Sequence, residues 1–373
     1  MIFSSPVVRC RWGRFLHWSW APWLVAVWLC AAVLAVPATA GEDGEPAPAA
    51  EKTPVKPKAK KKVEETELQE PEELTLTTED GLKLEITYFA GTRGKQSIPV
   101  VCLHPFKGSR KDFTEGLAPY LQKELGCAVV VPDLRGHGES REFGAVGKPA
   151  KKDAKKEPKK EAKKEDKGKL DAASMPAKHF PAMIVQDMRA IKDFLLEKNN
   201  AGELNINKTC LLGVELGAAV ALGSAEDDAE GYGQGSPWYG NFATTKLQRG
   251  EFVKAVVLVS PKSKSQNLDV MKFVKSQYLR SKVSVMILAG EEEATAAAEA
   301  KKIHDNLFKL FHRNDTERML WLGRPKTRLQ GMKLLDEQNS LGMSKIIGDF
   351  ITVRLVEAAE AKKWSWREIG SSQ

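Results

Sequence analysis

The chain has 373 residues, room for one large domain or two small ones, and carries 57 Lys and Arg against 49 Asp and Glu for a net charge of +8. The excess charge does not point to specific nucleic-acid binding. Residues 148–169 alone hold eleven Lys against five acids, and no aromatic side chain is interleaved there to stack on a base.

Read in chain order, residues 1–40 have the form of a signal peptide. Arg9, Arg11 and Arg14 precede an apolar run from Ala21 to Val36, and Ala38-Thr39-Ala40 supplies the small residues of a cleavage site. That run is shorter than the roughly 20 residues a membrane span needs, although an uncleaved anchor is the alternative. Cleavage after Ala40 would leave a mature chain exported from the cytoplasm: periplasmic, secreted or envelope-associated. Residues 41–71 are rich in Ala, Pro, Lys and Glu and read as a disordered tether. Residues 146–170 form a Lys-rich insertion built on the repeats KKDA, KKEP, KKEA and KKED, interrupted by Pro158. It reads as a solvated insertion, or as a weak, salt-sensitive contact to a polyanion or membrane surface.

Between these segments, apolar strands alternate with helices, which predicts an α/β domain over 72–358 with a mostly parallel sheet covered on both faces. Glu73–Thr77 and Leu82–Phe89 flank Glu79-Asp80-Gly81 as a hairpin. PVVCL (Pro99–Leu103) is a strand. Ser109–Leu125 is a helix ended by Gly126, and CAVVV (Cys127–Val131) a strand. An amphipathic helix at Ile184–Lys198 leads to a strand at Thr209–Leu212 and an Ala-rich buried helix at Leu216–Ala225. Strands at Val253–Ser260 and Val283–Ala289 flank a helix near Leu268–Leu279. A helix at Glu299–Phe311, a strand at Arg318–Leu322, a closing helix at Ser344–Glu357 and a tail at 359–373 complete the chain. Cys102, Cys127 and Cys210 sit in or beside apolar runs and read as buried free thiols, not as a disulfide or metal site.

Four stretches carry a resemblance. They are the hairpin ending in Asp80-Gly81, VVCLHPF (Val100–Phe106), VVVPDLRGHGES (Val129–Ser140) and LLGVELGAAVAL (Leu211–Leu222). Together they resemble the α/β-hydrolase superfamily over about 72–358. The resemblance implies a nucleophile on the elbow after the fifth strand, an acid after the seventh, a His after the last, and oxyanion amides at Phe106 and Leu216.

The residues at those positions differ from what the resemblance implies. The nucleophile position holds Glu215. The base position, before Gly331, holds Gln330, which cannot take and return a proton at neutral pH. The acid position falls on Glu293 or Glu292, which read equally well as helix-start acids. The oxyanion amides are expected to satisfy the Glu215 carboxylate. His104 and His137 read as loop-packing residues, and His179 as the one His that could stand in as a displaced base.

The degenerate pocket, with His104, Phe106, Glu215 and Leu216 as candidate lining, is joined by Trp238 and Tyr239 from 226–248, where the superfamily often inserts a lid. This implies a non-catalytic binding or structural protein whose ligand or protein partner the sequence does not name. The alternatives are an active hydrolase, esterase- or peptidase-like or with Glu215 as a carboxylate nucleophile, and a polyanion-binding protein acting through its Lys-rich segments. No cofactor or metal motif is visible.

Overall fold

A computed structural model describes residues 68–144, 169–230, 251–309 and 319–369. Eight strands form one sheet. These are β1 (Glu72–Thr77), β2 (Lys83–Phe89), β3 (Pro99–Leu103), β4 (Ala128–Pro132), β5 (Thr209–Val214), β6 (Val253–Val259), β7 (Ser284–Leu288) and β8 (Leu320–Gly323). Their order is β1-β2-β4-β3-β5-β6-β7-β8. Only β2 runs against its neighbours, pairing antiparallel with β1 and with β4, while β3 to β8 pair in parallel. The β1–β2 turn closes on Gly81 at φ 85, a value that disfavours any residue with a Cβ.

The central strands are buried on both faces, so their side chains alternate between two cores. Val101, Leu103, Leu211, Val256, Leu258, Val285 and Ile287 point into one core. That core is covered by α2 (Met188–Asn200), α3 (Leu216–Glu230) and α4 (Ala294–Phe308). Cys102, Cys210, Leu212, Val214, Val257, Val259 and Leu288 point into the other, under α1 (Leu117–Leu125) and α5 (Met343–Thr352). Among the described residues no helix is long and apolar enough to cross a membrane.

Several elements differ from expectation. The helix expected from Ser109 breaks at Gly116 (φ −143, ψ −92) into a short turn of helix, Lys111–Thr114, and α1, which Gly126 ends at φ 66. A π turn at Met183–Asp187 precedes α2. Between β6 and β7 there is a two-residue ribbon and two short helices, Val270–Phe273 and Gln277–Lys282, capped by the side chains of Asp269 and Ser276. Helix α4 begins five residues before its expected start, and β8 begins two residues after. Residues 359–369, read as a tail, dock on the domain: Ile369 is buried, and carbonyls of the segment accept hydrogen bonds from Asn199, Asn200, Asn205 and Asn207. The signal peptide, most of the tether and the body of the Lys-rich insertion lie outside the described residues. The insertion's roots are joined, with Leu170 N donating to Arg141 O at 2.8 Å and Ala172 N to Gly136 O at 2.9 Å.

Candidate functional site

The turn from β5 into α3 is set by two glycines. A Cβ at Gly213 would lie 2.1 Å from Gly217 O, and one at Gly217 would lie 2.1 Å from Leu103 O. This close approach forces a sharp reversal at Glu215, which takes φ 48. A non-glycine residue in the left-handed region is strained, and such strain persists only where the surroundings impose it. Glu215 N donates to Val259 O at 3.0 Å, extending the β5–β6 ladder by one residue. The Glu215 side chain therefore stands at the carboxyl edge of the sheet, beside the N-terminus of α3.

Two neighbours flank the carboxylate. Lys262 Nζ lies 3.5 Å from Glu215 Oε2. Gly331 lies against the other oxygen, where an added Cβ would come within 3.1 Å of Oε1. Lys262 is delivered by a loop pinned to α4, with Ser263 N donating to Glu299 Oε2 at 2.5 Å and Lys302 Nζ to Ser263 Oγ at 3.2 Å. Among the described residues no hydrogen bond joins the Glu215 carboxylate to the amide of Phe106 or Leu216, contrary to the expectation for those amides. A long side chain on the elbow reaches past them to the lysine.

Gln330 is engaged elsewhere. Its Oε1 accepts from Ser260 Oγ at 2.8 Å, and its Nε2 donates to Gly290 O at 3.0 Å. Ser260 Oγ in turn accepts from Gly331 N at 2.8 Å. One carboxamide and one hydroxyl thus lace together the loops that leave β6, β7 and β8. Ser260 is itself at φ 47.

The acid positions face away from this network. Glu293 caps α4, its carboxylate accepting from Ala296 N at 2.5 Å and Thr295 N at 3.3 Å. Those backbone donors, Ala296 first, hold its carboxyl below the usual range. Glu292 is exposed, and its backbone N donates to Thr327 O at 3.1 Å. Neither carboxylate meets Gln330.

The structure places the candidate lining residues apart. His104 is fully buried, its Nε2 accepting from Leu134 N at 2.9 Å and its Nδ1 lying 2.7 Å from Pro105 O. Burial pushes its pKa down to about 3, so the ring is neutral and joins the loops after β3 and β4. It lines no open pocket, a correction to its expected place, because both ring nitrogens are used inside the protein. Phe106 packs edge-on to His137. The Leu216 side chain is buried in the core, leaving only its amide for the edge. His179 meets Arg135, with Nδ1 3.4 Å from Nη1. Burial, and then the Arg135 charge, lower its pKa. That guanidinium is already bound to Asp187 and Asp80. Trp238 and Tyr239 lie outside the described residues.

Among the described residues, two cavities lie away from Glu215. One, about 50 Å³, lies between α2 and α3 and is lined by residues such as Ile191, Leu211 and Ser224. The other, about 560 Å³, is an open groove between Lys111–Leu117 and Met332–Gln338. Glu215 lines neither. Among the described residues no group of three or more His, Cys, Asp or Glu could hold a metal ion. The structure thus brings Glu215, Lys262, Ser260, Gln330 and Gly331 together. Sequence reasoning missed Ser260 and Lys262, for which the only sequence signal is position directly after β6.

The strand order and the elbow decide the architecture. It is the α/β-hydrolase fold. No family model and no curated protein matches the sequence. Among solved structures the chain is similar to the esterase Pf2001 of Pyrococcus furiosus, at 14% identity over 76% of this chain and 91% of that one, TM-score 0.49. It is similar to a dienelactone hydrolase from Anabaena variabilis, at 14% identity over 78% of this chain and 99% of that one, TM-score 0.46. An esterase from Pyrobaculum calidifontis gives 14% identity over 78% and 88%, TM-score 0.48.

Proposed function

We propose that the chain is a non-catalytic protein of α/β-hydrolase fold that acts by binding or as a structural element. The observation that carries this is the commitment of Gln330. Hydrolysis on this fold needs a group beside the elbow that takes and returns a proton. The residue at that place is an amide with its oxygen and nitrogen both occupied by Ser260 and Gly290. Glu215 as a carboxylate nucleophile would leave an ester that needs a base to direct water. The charged group paired with it among the described residues is the Lys262 ammonium, which donates and does not accept.

The test is hydrolysis by the purified mature protein of short p-nitrophenyl esters, an aminopeptidase substrate and a haloalkane, with Glu215→Ala beside the wild type. Background rates in both are expected. Turnover that disappears in Glu215→Ala would make Glu215 catalytic and overturn the reading.

The proposal includes export, supported by the pattern of residues 1–40. The expected N-terminus of the processed chain is Gly41, which N-terminal sequencing of the exported protein checks.

A further inference from the structure

The cavity between α2 and α3 has a local cause in each helix. Helix α2 is entered through the π turn at Met183–Asp187, and turns of this kind are frequent at functional sites. On the facing side α3 carries two small residues in a row, Gly223 and Ser224. Gly223 closes tightly on the π turn, since a Cβ there would lie 2.5 Å from Ile184 Cδ1. Ser224 reaches only one atom beyond its Cβ. A space lined by Ile184, Met188, Ile191 and Leu195 therefore stays open beside it, floored by Leu211 and Val253 of the sheet.

One polar group stands out in this apolar lining. Ser224 is 6% exposed, and its hydroxyl has no hydrogen-bond partner among the described residues. A buried hydroxyl left unpaired costs stability, so its presence calls for a partner supplied from outside the fold. The cations that line the cavity are already committed. Lys192 Nζ lies 2.7 Å from Asp228 Oδ1, and Arg189 Nη1 lies 3.0 Å from Glu79 Oε2. Apolar walls, one hydroxyl and paired charges favour an uncharged ligand. The least buried lining residues are Lys192 and Asp227, so the way in lies between α2 and the last turns of α3.

We propose that this cavity is a binding site for a small, uncharged aliphatic molecule that carries one hydrogen-bonding oxygen, of the class of the short-chain alcohols. Size sets the class. A buried water needs about 10–15 Å³, so a cavity of about 50 Å³ takes about three or four non-hydrogen atoms. The apolar walls cover the carbon chain, and Ser224 Oγ, which both donates and accepts, meets the oxygen. The site stands apart from Glu215 and is independent of what the carboxyl edge does.

The test titrates 1-propanol into the purified protein carrying ¹³C-labelled Ile and Leu methyl groups, read by NMR. Saturable shifts are expected at Ile184, Ile191, Leu195 and Leu211, with a Kd on the order of 10 mM, because so few ligand atoms limit the affinity. 1-Hexanol, too long for the space, is expected to bind more weakly. Ser224→Leu, which fills the space, is expected to abolish the saturable shifts, and Ser224→Ala to weaken binding about fivefold. Because the hydroxyl has no partner in the fold, Ser224→Ala is also expected to melt at or above the wild-type temperature. Shifts that stay linear, or that persist unchanged in Ser224→Leu, overturn the proposal. Tighter binding of 1-hexanol overturns the assigned size. A fall of more than about 2 °C in the Tm of Ser224→Ala would show the hydroxyl bonded within the fold and overturn its role. If Ser224→Leu does not fold, unchanged affinity in Ser224→Ala decides against the site.

Discussion

Replacing Glu215 by Gly and by Ala separates backbone strain from side-chain chemistry at the elbow. Glu215 sits at φ 48, where a residue with a Cβ carries about 1–2 kcal/mol of strain. Both substitutions delete the contact to Lys262, which at 3.5 Å between half-exposed groups contributes well under about 1 kcal/mol. That loss is common to the two and cancels between them. Ala keeps the strain. Gly removes it but makes the unfolded chain more flexible, which costs about 0.5–1 kcal/mol. The difference leaves Glu215→Gly more stable than Glu215→Ala by about 0.5–1 kcal/mol. For a domain of this size that is roughly a 2 °C separation in Tm. Urea denaturation and thermal melting of the two variants, run side by side at pH 7.5, measure it. An Ala variant as stable as the Gly variant, or more stable, would refute the claim that this turn holds its residue under strain.

Ser260→Ala removes the hydroxyl that bonds Gln330 and leaves the buried Gly331 amide without its partner. We expect a loss of about 2–3 kcal/mol in urea denaturation. Acidification is expected to destabilise the fold. Burial lowers the pKa of His104 to about 3 and that of His137 below its ordinary value. Between these folded values and about 6.5 the unfolded chain binds more protons, so stability is full above pH 6.5 and is lost as pH falls. His104 alone contributes about 2 kcal/mol of loss between pH 6.5 and pH 5, which denaturation midpoints at the two pH values in wild type and His104→Gln check. Cys102, Cys127 and Cys210 are buried, and burial pushes the Cys127 thiol up to about 12. A thiol reagent applied to residues 41–373 is expected to titrate none of the three until denaturant is added. Deleting 146–168 across a short Gly-Ser link is expected to move Tm by less than about 1 °C, because the Leu170–Arg141 bond closes the gap from outside it. Retention of polyanion binding by that deletion at high salt would exclude the Lys-rich insertion as the binding element.

The sheet was legible in the sequence because its central strands are apolar on both faces, as in Val253–Val259, where every residue is buried. The elbow was legible because Gly213 and Gly217 are there for a steric reason that the small-x-Glu-x-small pattern encodes. Helix breaks were less so: Gly116 in a helical run does not show from sequence whether it bends or ends the helix. The candidate site was legible by position and not by partnership. Glu293 illustrates the limit, since a carboxylate at the start of a helix and one that orients a catalytic base have the same sequence spacing. Only the amides of Thr295 and Ala296 distinguish them. The docking of residues 364–369 was illegible for a related reason. An asparagine amide donates to any carbonyl, so nothing in Asn199–Asn207 names a segment about 160 residues away.

The same distinction bears on what the carboxyl edge does. The backbone that would present a nucleophile is built, with its close glycine contacts and its strained φ. The side chains that would move a proton are tied into the scaffold, Gln330 to Ser260 and Gly290 and Glu293 to α4. Three loops are stitched by Ser260, Gln330 and Gly331, and a fourth element, the elbow, is braced through Glu215 and Lys262. An edge held this way accords with the non-catalytic role proposed above. On the proposed reading, installing hydrolysis requires more than Glu215→Ser. Gln330→His must also give up the bonds to Ser260 and Gly290, so the double variant is expected to lose stability by about 1–3 kcal/mol. A double variant that gains esterase turnover while melting at the wild-type temperature would show that the stitching does not constrain the site.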